Sequence, residues 1–265
     1  MSLPSGAVQL LGCGNMGGAM LRRWLQAGLR PDQVTVVTRT ERTLPNGVRW
    51  SPALPGGEPP EVLLLAVKPQ QLDAVAPALR EARPRLLLSI LAGVEETALR
   101  HRLDAAAVVR AMPNLPVAIG KGVTALFSST AGDTARRTAE ALCAPLGHHE
   151  WIADEGLFDA VTALAGSGPG FVFRFADALA QAGTQLGLPE GQARRLALAT
   201  LEGSALMAAG SDESPAVLAD RVASPGGSTR EGLNVLDRDD ALIRLLTKTL
   251  AAAERRNREM AAATR

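Results

Sequence analysis

Residues 7–17, "AVQLLGCGNMG", run from a short apolar segment straight into three glycines at the spacing G-x-G-x-x-G. A continuous apolar run of that length suits a strand buried on both faces, and the segment 17–28 that follows reads as a helix. In a strand–turn–helix context each glycine has a physical task. Gly12 permits the tight turn, Gly14 lets backbone approach a pyrophosphate, and Gly17 allows the helix to pack closely on the strand. Asn15 and Met16 open the helix, where free backbone N–H groups favour an anion.

Working outward, the same alternation continues. "VTVVT" (34–38), "VLLLAV" (62–67), "RLLLSILAG" (85–93) and "AVVRAM" (107–112) are short and apolar, with helix-like segments such as 69–82 between them. "GVTALFSS" (122–129) and "GHHEWIAD" (147–154) add strands around a helix at 131–146. This order predicts a doubly wound α/β domain on a parallel sheet. Strand signals stop near residue 154. In "GFVFRFADALAQAGTQLGLP" (170–189) Val172, Phe175, Leu179, Ala182 and Leu186 form a helical stripe. The expected organisation is a dinucleotide-binding domain at 1–153 and an all-helical domain at 154–265. Its Ala-rich helices are weakly amphipathic for an isolated bundle, so a helix-exchanging dimer is expected.

Bulk properties narrow the function. Of 265 residues 46% are hydrophobic, enough for a sizeable core, and the formal charge of +1 implies no nucleic-acid partner. Aromatics are 3% with no Tyr, which disfavours base-stacking platforms. Cys13 and Cys143 are too few for a disulfide framework, and the simplest setting is reducing and cytoplasmic. No signal-peptide pattern and no apolar stretch near the ~20 residues of a membrane span are expected. Three histidines give no paired metal ligands.

A carboxylate at the end of the second strand would hold the ribose 2′-hydroxyl of NAD. Here Thr38, Arg39 and Thr40 stand instead, with Glu41 late. A guanidinium flanked by hydroxyls suits a 2′-phosphate, so NADPH is expected over NADH. A second anion site is signalled by "VASPGGSTREGL" (222–233). A Pro-Gly-Gly turn precedes a helix, and Ser228 and Glu231 have the S-x-x-E spacing of a capping box.

Together, "GCGNMG" (12–17), "AVKP" (66–69), "AMPNLP" (111–116), "VTALAGSGPGF" (161–171) and "SPGGSTREGL" (224–233) resemble the pyrroline-5-carboxylate reductase family in order and spacing. The resemblance implies an N-terminal Rossmann domain, an interlocking helical C-terminal domain, and a homodimer or a larger assembly of dimers. It also implies reduction of 1-pyrroline-5-carboxylate to L-proline by NADPH, with NADH weaker. Ala66, Val67, Lys68, Pro69, Met112, Pro113 and Asn114 would line the nicotinamide half of the cofactor, with Ala92 and Gly93 beside the ring. The substrate carboxylate would sit on Ser224, Gly226, Gly227 and Ser228, while Thr229 bonds the ring nitrogen. Glu155 and Asp212 resemble acidic positions near the substrate. Leu115 replaces a usual Thr, Gly170-Phe171 replace Ala-Tyr, and the stretch after Arg42 is short.

Two other readings compete. A β-hydroxyacid dehydrogenase of the 6-phosphogluconate dehydrogenase type shares the glycine opening, but needs a lysine that "GSGPGFVF" lacks; Lys248 is the one lysine of the second half. A non-catalytic NADP-binding regulator would need no "SPGGSTREGL".

Overall fold

The computed structural model describes residues 2–262. Seven predicted strands form: β1 Val8–Leu11, β2 Val34–Val37, β4 Val62–Leu65, β5 Leu86–Ser89, β6 Val108–Pro113, β7 Gly122–Phe127 and β8 Gly147–Trp151. A further short strand, β3 Arg49–Ser51, carries too little apolar sequence to be read in advance. The eight lie in the order β3-β2-β1-β4-β5-β6-β7-β8. All neighbours are parallel except β6 and β7. The expected doubly wound sheet is thus mostly parallel, with one reversed neighbour pair. Only residues 114–121, with a 3-10 turn at Leu115–Ile119 and the left-handed Gly120, join β6 to β7. A parallel crossover needs a dozen residues or more, so the chain reverses.

The apolar runs alternate between the two faces. Leu64 packs with Val8, Leu10 and Val36 beneath α1 (Asn15–Gln26) and α4 (Asp133–Cys143). Leu63 and Leu65 pack on the other face with Leu72 and Leu79 of α2 (Leu72–Ala82) and Leu99 of α3 (Glu96–Arg102). Trp24 is fully buried and its Nε1 donates to the Leu142 carbonyl at 2.6 Å, tying α1 to α4. Burying such a side chain contributes ~2–3 kcal/mol. Burial pushes the Cys143 thiol up to about 12, with Glu140 adding to the shift, so this sulfur is an inert core group.

The chain divides into two compact units. The first runs to Ser167, past the expected boundary at 153, and takes in the end of the chain from Ala253; the second is Gly168–Ala252. The segment after β8 belongs with the sheet because α5 (Phe158–Val161) buries Phe158 edge-on against Phe127, centroids 6.5 Å apart. A π-turn, Thr162–Gly166, follows.

The second unit contains α6 (Gly168–Gln185), α7 (Glu190–Ala209), α8 (Pro215–Arg221), α9 (Ser228–Asp237) and most of α10 (Ala241–Ala262). Its buried apolar residues are alanines: Ala176, Ala193, Ala197 and Ala223. The predicted stripe on α6 is not its internal core face. Val172, Phe175, Leu179 and Leu186 are exposed, and a small-residue seam, with Gly183 beside Ala193, faces α7 instead. The helical run Glu155–Gln185 is long and apolar enough, by length and composition, to cross a membrane. This differs from the expectation that no stretch reaches that length. Arg174 and Asp177 on the run pair at 3.3 Å.

Burial raises the carboxyl pKa of Asp159, with Arg110 and Arg258 pulling it back. A raised acid favours the protonated fold, so its contribution is present below the unfolded pKa and is lost as pH rises through the folded one. Asp159→Asn is therefore expected to melt higher than the parent protein at pH 7. The gap should close below about pH 3, where both side chains are neutral. Thermal melts at the two pH values check this; an equal gap at both would assign the change to packing.

Candidate active site

The strand order reverses between β1 and β4, and the crevice outside such a switch point is where α/β sheets bind ligands. The glycine turn lies there. Gly12 has φ +93°, and a Cβ on it would come 2.5 Å from the Ala66 carbonyl oxygen. A Cβ on Gly17 would meet that of Ala66 at 3.2 Å. Gly14 is different: it is the exposed N-cap of α1, no side chain caps it, and nothing lies within 4 Å of its missing Cβ. The N–H groups of Asn15 and Met16 lack intrahelical partners by geometry. This cradle fits a pyrophosphate.

Ala66 and Val67 leave β4 half-buried, and the exposed Lys68 is followed by a 3-10 turn beginning at Pro69. At the end of β2, the Thr38 hydroxyl donates to the Thr40 carbonyl at 2.9 Å and accepts from Trp50 Nε1 at 3.1 Å. Arg39 is exposed. Arg42 reaches back from the following loop to the Cys13 carbonyl at 3.1 Å, laying a second guanidinium beside the glycine turn. Trp50 carries no signal in the sequence, because the loop before it follows no period. Burial raises the Cys13 thiol pKa, against the pull of Arg42 and Arg22.

On the other side of the switch point, Ala92 and Gly93 turn after β5, with Gly93 at φ +71°. A Cβ on Gly93 would lie 3.1 Å from the Ala261 Cα. Met112 is partly buried and Pro113 buried at the end of β6. Asn114 is buried and its amide is committed within the protein. Nδ2 donates to the Ala165 carbonyl at 3.0 Å, and Oδ1 accepts from Val123 N–H at 2.8 Å. Its side chain thus fixes the loop against the π-turn and β7.

Glu155, expected near the substrate, is half-buried. Its Oε1 accepts from Arg110 Nη1 at 2.6 Å and from the Glu96 N–H at 2.7 Å, so the carboxylate serves the frame of the first unit.

In the second unit the SPGG turn closes through Gly227 N–H to the Ser224 carbonyl at 3.0 Å, with Gly226 at φ +70°. The N-cap of α9 is Gly227, not Ser228, and no side chain caps the helix. The expected Ser228–Glu231 capping box is therefore absent, because Ser228 has already entered the helix. The consequence favours a ligand: N–H groups of Ser228, Thr229 and Arg230 are left without side-chain caps. Ser224 Oγ stands 2.6 Å from where a Gly227 Cβ would be. The Ser224 and Thr229 residues are exposed, whereas Arg230 folds back onto Asp220 at 2.7 Å. Asp212 is exposed between α7 and α8. Among the described residues no group of three or more His, Cys, Asp or Glu can hold a metal ion.

Residues 155–260 match the family model for pyrroline-5-carboxylate reductase dimerisation, and residues 7–93 that for NADP oxidoreductase, coenzyme F420-dependent. The chain is 40% identical over 262 residues to the pyrroline-5-carboxylate reductase of Thermus thermophilus, spanning 94% of this chain and 97% of that one. The chain belongs to the pyrroline-5-carboxylate reductase family. The reductase of Synechocystis sp. is 39% identical over 202 residues, covering 76% of this chain and 75% of that one. The solved pyrroline-5-carboxylate reductase of Coxiella burnetii superposes with a TM-score of 0.85 at 29% identity, over 97% of this chain and 98% of that one. The dimerisation match covers the helices whose apolar side chains lie exposed.

The two glycines of the turn are expected to behave oppositely. Gly12→Ala forces a methyl group into the Ala66 backbone at positive φ and should lose ~2–3 kcal/mol of stability. Gly14→Val has room and an extended backbone, so its melting temperature should stay near the parent's while calorimetric NADPH binding is lost. Equal binding by Gly14→Val would show that the pyrophosphate lies elsewhere.

Proposed function

We propose that this protein reduces 1-pyrroline-5-carboxylate to L-proline with NADPH as reductant. The observation that carries the reading is the uncapped start of α9 behind the SPGG turn, in a chain of this family. The substrate is an anion, and that turn offers it backbone N–H groups.

NADPH, when bound, supplies the hydride. Its pyrophosphate would rest on the start of α1 at Gly12, Gly14, Asn15, Met16 and Gly17, with Thr38 and Arg39 toward the 2′-phosphate. Ala66, Val67, Lys68, Pro69, Met112 and Pro113 would line the nicotinamide half, with Ala92 and Gly93 by the ring. Asn114 supports that wall through its two internal hydrogen bonds. Ser224 Oγ and the N–H groups of Ser228 and Thr229, presented by the Gly226–Gly227 turn, hold the substrate carboxylate. The Thr229 hydroxyl bonds the ring nitrogen and orients the C=N bond. A protonated imine is already strongly electrophilic, so orientation is the main requirement. Hydride adds to the imine carbon while the nitrogen keeps its proton, giving the secondary amine. We infer that a second copy of this chain covers the exposed faces of α6, α7 and α10.

The hydroxyacid dehydrogenase reading lacks its lysine. NADPH oxidation with pyrroline-5-carboxylate, beside hydroxyisobutyrate and phosphogluconate, tests the assignment; turnover of a hydroxy acid but not of the imine would sink it. Within the imine reaction, Thr229→Val should lower kcat about 10–100-fold with a smaller change in KM. Gly227→Ala drives a methyl group against Ser224 Oγ and should instead raise KM. Full kcat in Thr229→Val would leave the nitrogen to another partner.

A further inference from the structure

Arg110 is a charged residue placed inside a β-sheet. It sits in β6 opposite Ser89 of β5 and is 5% exposed. Its guanidinium lies 4.2 Å over the Phe158 ring, and Nη1 is 2.6 Å from Glu155 Oε1. That same carboxylate oxygen accepts the N–H of Glu96, the first residue of α3, at 2.7 Å. One oxygen therefore joins three segments: strand β6, the approach to α5, and the start of α3.

Two of these segments bracket the proposed nicotinamide side. The Ala92–Gly93 turn hangs between β5 and α3, anchored upstream by the β5–β6 ladder and downstream by Glu96 on Glu155. Met112 and Pro113 follow Arg110 on the same strand. We propose that Arg110 is a positioning residue for hydride transfer: through Glu155 it sets the distance between the Ala92–Gly93 turn and the Met112–Pro113 wall. This inference rests on the cofactor placement proposed above.

Gly93, Arg110, Glu155 and Asp159 border a cavity of about 570 Å³, with Gly93 also packed against Ala261. A buried ion pair contributes little net stability compared with apolar groups of the same shape. Its geometric effect is larger, because a bidentate-capable planar guanidinium fixes its partner's direction where an ammonium does not.

The test compares Arg110→Lys, Arg110→Met and Glu155→Gln in the full chain, measuring kcat, KM for NADPH and the primary isotope effect with NADPH deuterated at the transferred position. A misplaced ring slows hydride transfer itself, so the isotope effect on kcat should rise as transfer becomes more rate-limiting. Arg110→Lys should lose about tenfold in kcat, with KM for NADPH within about twofold. Glu155→Gln retains an acceptor oxygen and should fall between Arg110→Lys and the parent. Arg110→Met leaves the half-buried Glu155 carboxylate without its cation; if it does not fold, the other two variants decide. Lowered melting temperatures with unchanged kcat and isotope effect would overturn the inference and leave Arg110 as a structural ion pair. A parent protein that binds NADPH but does not reduce the imine would instead overturn the functional reading beneath it.

Discussion

The constraint on which the first unit depends is the contact of the glycine turn with Ala66. A side chain at Gly12 has no space, and one at Gly17 is tight, because α1 leaves β1 while pressed on the end of β4. That approach lowers α1 onto the sheet, so that Met20, Leu21 and Trp24 reach full burial. Trp24 then finds the Leu142 carbonyl, and α4 is held to the same face. The glycines thus serve packing and would serve the proposed binding with one conformation. The turn that brings the helix down also leaves its first N–H groups bare over the switch point.

The second unit is built on a different balance. Its buried apolar residues are alanines, while Phe173, Phe175, Leu198, Leu206 and Met207 face outward. Alanine burial contributes far less than burial of these larger groups. Contiguous exposed apolar helix faces of this kind mark an association surface, and the matched region of the chain is a dimerisation region in its family. The SPGG turn lies in the same unit, between α8 and α9. A partner that bound this unit only in its folded form would stabilise the turn along with it.

Much of this was legible in residue patterns. The apolar runs located seven strands because strands buried on both faces read as unbroken hydrophobic segments. β3 escaped because Arg49, Trp50 and Ser51 form an edge strand with no such run, and α3 because its seven residues carry no long period. The reversed β7 was hidden because periodicity does not report direction; the short link through Leu115–Ile119 does. Side-chain assignments fared unevenly for a related reason. Asn114 lies in a motif, and Glu155 at an acidic position, that the family resemblance marks, but spacing cannot tell a ligand contact from a support. Their side chains hydrogen-bond Ala165, Val123, Arg110 and Glu96 within the protein.

The two proposed anion sites share a construction that side-chain chemistry alone conceals. Glycine is the N-cap of both α1 and α9, and neither helix has a side-chain cap. Elsewhere the chain does cap helices: Ser214 Oγ accepts from Val217 N–H at the start of α8. A glycine N-cap is not sufficient, since Gly132 opens α4 with Asp133 in the first turn supplying a negative charge of its own. What separates Gly14 and Gly227 is a positive-φ glycine just before each, Gly12 and Gly226, which turns the incoming chain away from the helix mouth. Backbone dipoles there would receive the proposed anions. This accounts for a formal charge of only +1 in a protein proposed to bind a phosphorylated dinucleotide and a carboxylate together. Recognition that rests on N–H groups requires no excess of lysine or arginine, and in the sequence it is written as glycine spacing.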